Sequence, residues 1–405
     1  MKLIVERTHL LAALKAVGHL ADSKAKVLVL AHVRLRTEGS RLYIAATDNN
    51  AWAEAEIAAE VERQGETTIN ADTLQRMVNN FAEGAQIYID AGDTLATVRA
   101  GRSRYQPHVL PASDFPAAFA PKGKAATFTL LPEEVKRLFA LPKSAAAKGR
   151  QDRAYLEGVY LHTSEDDATL WGAACDGYVL LVADVPAPEG AAGLPKLVAP
   201  EGNQAGRPRG LMVPLESVAH LIKLGESGLE IRADTNILAA TAGLPSSAVK
   251  ISYATRLIEN RFPPYENFVP PLEGSVLTVE AGAFSAAVKR LADMAGNEER
   301  AVAIEWGEDG DLSLWLDDHA DGIYGTEAIE IEKREGVGRL GIRSGFVMKA
   351  VEAVGRGHLE IWFTGEDKPV RIRNVDDPSL VAVVWLQVLR RRLEQGAVLP
   401  REEAA

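Results

Sequence analysis

Short runs of alternating apolar and polar residues give way, six times along this chain, to apolar spacings of three and four. Alternation puts every second side chain on one face and predicts a strand; the wider spacing draws one stripe along a helix. The run 3–5 leads into a helical pattern over 9–17, 127–130 into 133–140, and 276–279 into 283–292. Later in each block the unit returns: 67–69 into 71–81, 210–213 into 215–224, and 340–343 into 345–354. Leu10, Leu11, Leu14 and Val17 form one stripe, and Phe284, Val288 and Leu291 another. Between the helices, Leu42, Ile44 and Ala46 share a strand face, as do Leu312, Leu314 and Leu316. Hairpins are expected at 33–46, 159–173 and 302–316, with closing strand pairs near 95–110, 237–253 and 370–386. Each helix has one face to bury, so the pattern predicts an α+β fold with helices packed on antiparallel sheet. Proline-rich joints at 111–121 and 263–271 divide the chain into three blocks, 1–122, 123–268 and 269–389, followed by a tail, 390–405. A scaffold repeated in this way points away from a single active-site pocket.

Composition narrows the class. The chain has 405 residues, 47% hydrophobic and 25% charged, as expected for a globular protein of several domains. Its lone cysteine, Cys175, excludes an internal disulfide framework and suits a reducing compartment, so a cytoplasmic location is expected. The charged N-terminus, Met1 to Arg7, does not read as a signal peptide, and no run approaches the length of a membrane span.

The net charge of -11 argues against a nucleic-acid partner, but it is only a sum. Lys15, Arg76, Lys136, Arg137, His220, Lys223, Lys289, Arg290 and Lys349 fall on polar helix faces, whereas Glu54, Glu56, Glu60, Glu62, Glu327 and Glu330 fall in turns and strands. Basic helix faces lining one hole would meet phosphates without reading bases. An ordinary solvated helix face gives the same pattern, so charge alone leaves both readings open. Cys175 beside Asp176 could suggest a thiol nucleophile, but no motif places a histidine next to it. The chain has neither a phosphate loop of the G-x-x-x-x-G-K type nor a metal-spaced His/Cys cluster, so no cofactor, no metal and no catalysis are expected.

Four stretches then carry a resemblance: MKLIVERTHLLAAL at the start, VRAGRSRYQPHVLPASDFP over 98–116, Cys175-Asp176-Gly177 after a strand, and RFPPYENFVP over 261–270. In this order the sequence resembles the bacterial DNA polymerase III beta subunit, the sliding clamp, to about Leu389. The resemblance implies three clamp domains per chain and a head-to-tail homodimeric ring around double-stranded DNA, bound without sequence preference. It also implies a pocket that takes short peptide motifs from DNA polymerase and the clamp loader. On this chain the pocket would comprise Leu156, Cys175, Gly177, Tyr178, Val179, Leu180, Pro263, Phe268, Arg343, Phe346, Val383, Val384, Trp385 and Leu386. Cys175 stands where the family usually has threonine, and Tyr178 and Val179 where it has histidine and arginine. Lys24, Lys26, Arg76, Lys136, Arg137, Arg150, Arg153, Tyr155, Lys223, Lys289 and Lys349 are the expected DNA contacts. Tyr105, Pro107 and Met294 would lie at the dimer seam. A specialised paralogue serving a repair, plasmid or phage polymerase stays open as an alternative, as does a scaffold that holds no DNA.

Overall fold

The computed structural model describes residues 1–149, 151–195, 210–244, 248–259, 262–295, 301–318, 323–365 and 368–386. The tail expected at 390–405 and the DNA contact expected at Arg150 lie outside these residues. The chain folds as two compact units: Met1–Phe139 with Leu161–Leu170 and Pro186–Glu259, and Ala140–Tyr160 with Trp171–Val185 and Asn260–Ala405.

All six strand-to-helix units form, and several use one device. The last strand residue turns its side chain back to cap the helix that follows. Glu6 accepts from the His9 amide at 3.0 Å, Asn70 from Thr73 at 3.0 Å, and Glu280 from Gly282 and Ala283 at 2.9 and 2.6 Å. These oxygens satisfy amides that the first helical turn leaves without partners. The two backbone amides hold the Glu280 carboxyl below its ordinary pKa. The helices run Arg7–Val17, Ala71–Asn80, Leu215–Leu224, Ala281–Ala295 and Ser344–Val354. The remaining one departs from expectation: Pro132–Val135 is α-helical, but Lys136–Ala140 widens into a π turn before Leu141–Lys143. Pro142 has no amide to give the carbonyl four residues back, and its ring crowds that carbonyl, so the turn loosens there.

In the first unit, one antiparallel sheet runs Val109–Leu110, Glu66–Asn70, His32–Glu38, Arg41–Thr47, Ala51–Ala58, Lys250–Arg256, Ile237–Gly243, Leu229–Ala233 and Ala126–Leu130. Ala51–Ala58 was not read from the sequence as a strand, yet it joins the first and second blocks, with Trp52 opposite Ala254 and Glu54 opposite Ser252. The joint at 111–121 is no loose linker. Phe115 is buried with Trp52, Ile237 and Ala254, and its ring meets Trp52 edge-on at 5.7 Å. A second sheet runs Glu60–Arg63, Lys2–Glu6, Gln86–Ala91, Ala96–Ala100 and Ser103–Tyr105. The expected continuous strand over 104–110 is broken. Pro107 cannot donate to a ladder, so Ser103–Tyr105 stops before it and Val109–Leu110 joins the other sheet. Pro107 itself is buried, and its carbonyl accepts from the Ala96 amide at 3.0 Å.

In the second unit, the strands Val179–Pro186, Val381–Val384, Val370–Asn374, His358–Phe363, Ser275–Glu280 and Lys333–Glu335 lie side by side. Val179 pairs with Val384 and Leu180 with Val383. A four-stranded sheet runs Ile323–Ile329, Leu312–Asp318, Ala301–Trp306 and Gly338–Arg343. Gly338 sits opposite Trp306, and a Cβ there would lie 2.2 Å from the indole, so only glycine fits. The stripes predicted from spacing are the core: Phe284, Val288 and Leu291 of one helix and Val347, Ala350 and Val351 of the next are at most 3% exposed.

Candidate partner-docking site and exposed cations

The residues expected in the peptide pocket come together in the second unit around one tight turn. The strand Thr169–Cys175 ends, and Asp176-Gly177-Tyr178 reverses the chain into the next strand. Asp176 organises the turn: its Oδ1 accepts from the amides of Tyr178 and Val179 at 2.9 and 2.8 Å. Gly177 has φ 97°, a conformation that favours glycine. Lys349 Nζ reaches Asp176 Oδ2 at 2.6 Å and ties the helix Ser344–Val354 to the turn.

The turn presents Tyr178, 42% exposed. Its ring stacks on Phe346 with centroids 5.0 Å apart, and the Arg343 guanidinium lies 5.9 and 5.4 Å from the two rings. The Tyr178 carbonyl accepts from the Trp385 amide at 2.9 Å, which extends the ladder of Val179 and Val384. Trp385 in turn faces Phe268, 47% exposed, at 6.1 Å. Four separated segments thus deliver an aromatic surface with a guanidinium over it, flanked by half-buried Leu386 and Pro263. Such a surface suits burial of apolar side chains with a polar or anionic neighbour.

The other residues of the expected pocket sit deeper. Val179, Leu180, Val383 and Val384 are at most 1% exposed, and Leu156 is 4% exposed, so they back the surface from within the core. Below it, Tyr160 stacks on Phe262 at 5.3 Å, and Phe262 meets Tyr265 edge-on at 6.0 Å. Cys175 accepts from the Gly177 amide at 3.1 Å, and burial pushes its thiol up to about 11. Alkylation of Cys175 by iodoacetamide at pH 8 is therefore expected to run about a hundredfold slower than that of an ordinary thiol, because only thiolate reacts. A rate matching an unfolded control would mean that the thiol is open to solvent.

The expected DNA contacts fall into two groups. Lys24, Lys26, Arg76, Lys136, Arg153, Lys223 and Lys289 are exposed; Arg137 and Tyr155 are half-buried. Lys349 is different, because its ammonium is committed to Asp176 on the docking surface. That tie was not legible from sequence, although Asp-Gly after a strand does signal the turn. At the expected seam, Tyr105 is 38% exposed against Phe81, and Met294 is 62% exposed on the helix Ala281–Ala295. Ser103–Tyr105 and Ile323–Ile329 are edge strands of their sheets. Among the described residues, no group of three His, Cys, Asp or Glu is placed to hold a metal, and no helix is long and apolar enough to cross a membrane.

Residues 1–119 match the family model for the DNA polymerase III beta subunit, N-terminal domain. A beta sliding clamp of Caulobacter vibrioides is 28% identical over 388 residues, covering 95% of this chain and 99% of that protein. The beta sliding clamp of Escherichia coli K12 is 24% identical over 389 residues, with the same coverage of both. The solved Caulobacter crescentus pol III beta superposes with a TM-score of 0.85 at 26% identity, covering 96% of this chain and 100% of that one. Repeated α+β domains matched end to end in sequence and fold define a sliding clamp, a non-catalytic processivity factor. The chain is similar over nearly its whole length to the beta sliding clamps, and its first 119 residues match the N-terminal domain of the DNA polymerase III beta subunit.

Proposed function

We propose that this chain is a replication clamp: two copies close head to tail around duplex DNA, and the aromatic surface at Tyr178 and Phe346 holds DNA polymerase and the clamp loader by short peptides. The observation that carries the reading is the repeated strand–helix unit, whose successive helices carry exposed cations at Arg76, Lys223 and Lys289. Cations spread over a repeated scaffold give weak, sequence-blind phosphate contacts, and topology rather than affinity keeps the protein on DNA. A tethered polymerase gains effective concentration. Three domains, 1–122, 123–268 and 269–389, would each supply two helices, and the protein would act in the cytoplasm. Tyr178, Phe268 and Trp385 make the docking surface more aromatic than the family norm, which favours partner motifs with a large aromatic side chain.

Retention after loading tests the reading. The loaded protein should stay on nicked circular DNA through a wash at high salt and leave when the circle is cut once. Equal loss from circular and linear DNA would remove the topological mechanism.

A further inference from the structure

In the first unit, one cavity opens between the helices Arg7–Val17 and Leu215–Leu224, and a second adjoins it between Leu215–Leu224 and the residues Asp48, Asn50 and Arg256. One has a volume of about 300 Å³ and the other about 250 Å³, and His220 and Tyr253 line both. The larger reaches the lower end of the range of about 300–1,000 Å³ typical of small-molecule sites, and the smaller falls below it. Three rings run through the cleft. His19 stacks on His220 with centroids 3.8 Å apart and planes at 27°, and His220 lies 5.8 Å from Tyr253. Lys15 and Lys223, both exposed, stand at the larger cavity, where Glu226 is the one acidic lining residue among the described residues. Its floor is apolar, built from Ala12, Ala16, Leu224 and Ile251.

Two features of the lining suit a bound ligand. The Tyr253 hydroxyl is buried without a hydrogen-bond partner, in a residue only 2% exposed. Burial pushes its pKa up to about 12, so the phenol keeps a proton to donate, and the Ser217 and Thr255 hydroxyls are the acceptors nearest to it. The nearby Ser217 and Thr255 hydroxyls are 2.6 Å apart and bonded to each other. The larger cavity is also electropositive. His19 keeps an exposed edge, yet desolvation against the neighbouring ring pushes it down to about 4, and His220 and Lys223 add a field that an incoming anion would offset.

We propose that this cleft binds a mononucleotide unit, its phosphate between Lys15 and Lys223 and its base along the rings of His19, His220 and Tyr253. Phosphate alone would leave the apolar floor bare, and a neutral aromatic molecule would leave the two ammonium groups without a partner. The rings give base stacking that is indifferent to sequence, and the Tyr253 hydroxyl gives a donor to the bound unit. Two sources carry this chemistry: a free nucleotide, or the unpaired terminal nucleotide of a DNA strand.

Calorimetric titration of the full chain with dAMP, without DNA, tests the site independently of ring closure. Saturable binding is expected, with deoxyadenosine and inorganic phosphate each at least about tenfold weaker. Lys15→Ala with Lys223→Ala should weaken dAMP at least about tenfold, and Tyr253→Phe about threefold with an unchanged melting temperature. A second arm compares a blunt duplex with one bearing a single unpaired terminal nucleotide. Preference for the overhang, lost in Tyr253→Phe, would identify the strand end as the source even if dAMP binds poorly. Inorganic phosphate binding as tightly as dAMP would reduce the cleft to a general anion patch and overturn the proposal. Failure of both dAMP and the overhang to bind would do the same.

Discussion

Leu386→Asp combined with Tyr178→Ala is expected to weaken binding of a labelled partner peptide at least a hundredfold while the chain stays folded and dimeric. A hundredfold loss is about 2.8 kcal/mol, and burying one large apolar side chain of the peptide is worth about 1.5–3 kcal/mol. Tyr178 supplies one face of the stack with Phe346, and Leu386 packs at its margin against the core. Removing the ring takes away contact area; placing a carboxylate beside it adds a charge that the incoming apolar side chain would desolvate. The substitutions are chosen by burial. Leu156 belongs to the same expected pocket, but it is 4% exposed, and a charge there would unfold its surroundings rather than report on docking. Fluorescence anisotropy with a peptide bearing an aliphatic–aromatic pair measures the loss, and the melting temperature reports the fold. Affinity within about threefold of the parent would move docking away from this surface.

The sequence exposed the repeat more fully than the site. Helix and strand periods differ, so the units built on Leu10–Val17 spacing and on Phe284, Val288 and Leu291 could be read directly, and these residues are buried as expected. What periodicity missed has physical causes. Ala51–Ala58 alternates, but its alanines carry little hydrophobic contrast, and Glu54 and Glu56 read as surface; Arg34 stands 3.7 Å from Glu54 and Arg41 3.6 Å from Glu56. The break at Pro107 follows from its missing donor, although the single strand expected over 104–110 runs through it, and its inward direction depends on the sheet Val109–Leu110 joins. In the docking surface, residue identities came through the resemblance. The stacking of Tyr178 on Phe346 and the commitment of Lys349 to Asp176 are long-range pairings that local spacing cannot encode. The stacked His19 and His220 are separated in sequence in the same way.

Tyr105→Asp with Met294→Asp is expected to convert the protein from a dimer to a monomer of 43.6 kDa across the accessible concentration range. Ser103–Tyr105 is an exposed edge strand, and Ile323–Ile329 is the edge of the sheet packed beside the helix that carries Met294. An exposed edge with large apolar side chains next to it is a template for pairing with another chain. Arg290 on the same helix is held by Glu327 in two hydrogen bonds of 2.8 Å, which keeps its charge beside that edge rather than across it. Tyr105 and Met294 keep 38% and 62% of their surface exposed, so burying that remainder at one seam is worth about 1.5–3 kcal/mol, and a two-copy head-to-tail ring repeats each seam, so the pair contributes about 3–6 kcal/mol. Losing even the lower figure weakens the dimer by about two orders of magnitude. The carboxylates add a further cost, because closing the seam would desolvate them. Both side chains are exposed in the single chain, so the melting temperature of the monomer should change little, although Tyr105 does leave Phe81 behind. Sedimentation equilibrium over a dilution series decides the matter. A mass that stays at twice the chain would mean that these edges do not form the contact between copies, and the closed ring would then need a different seam.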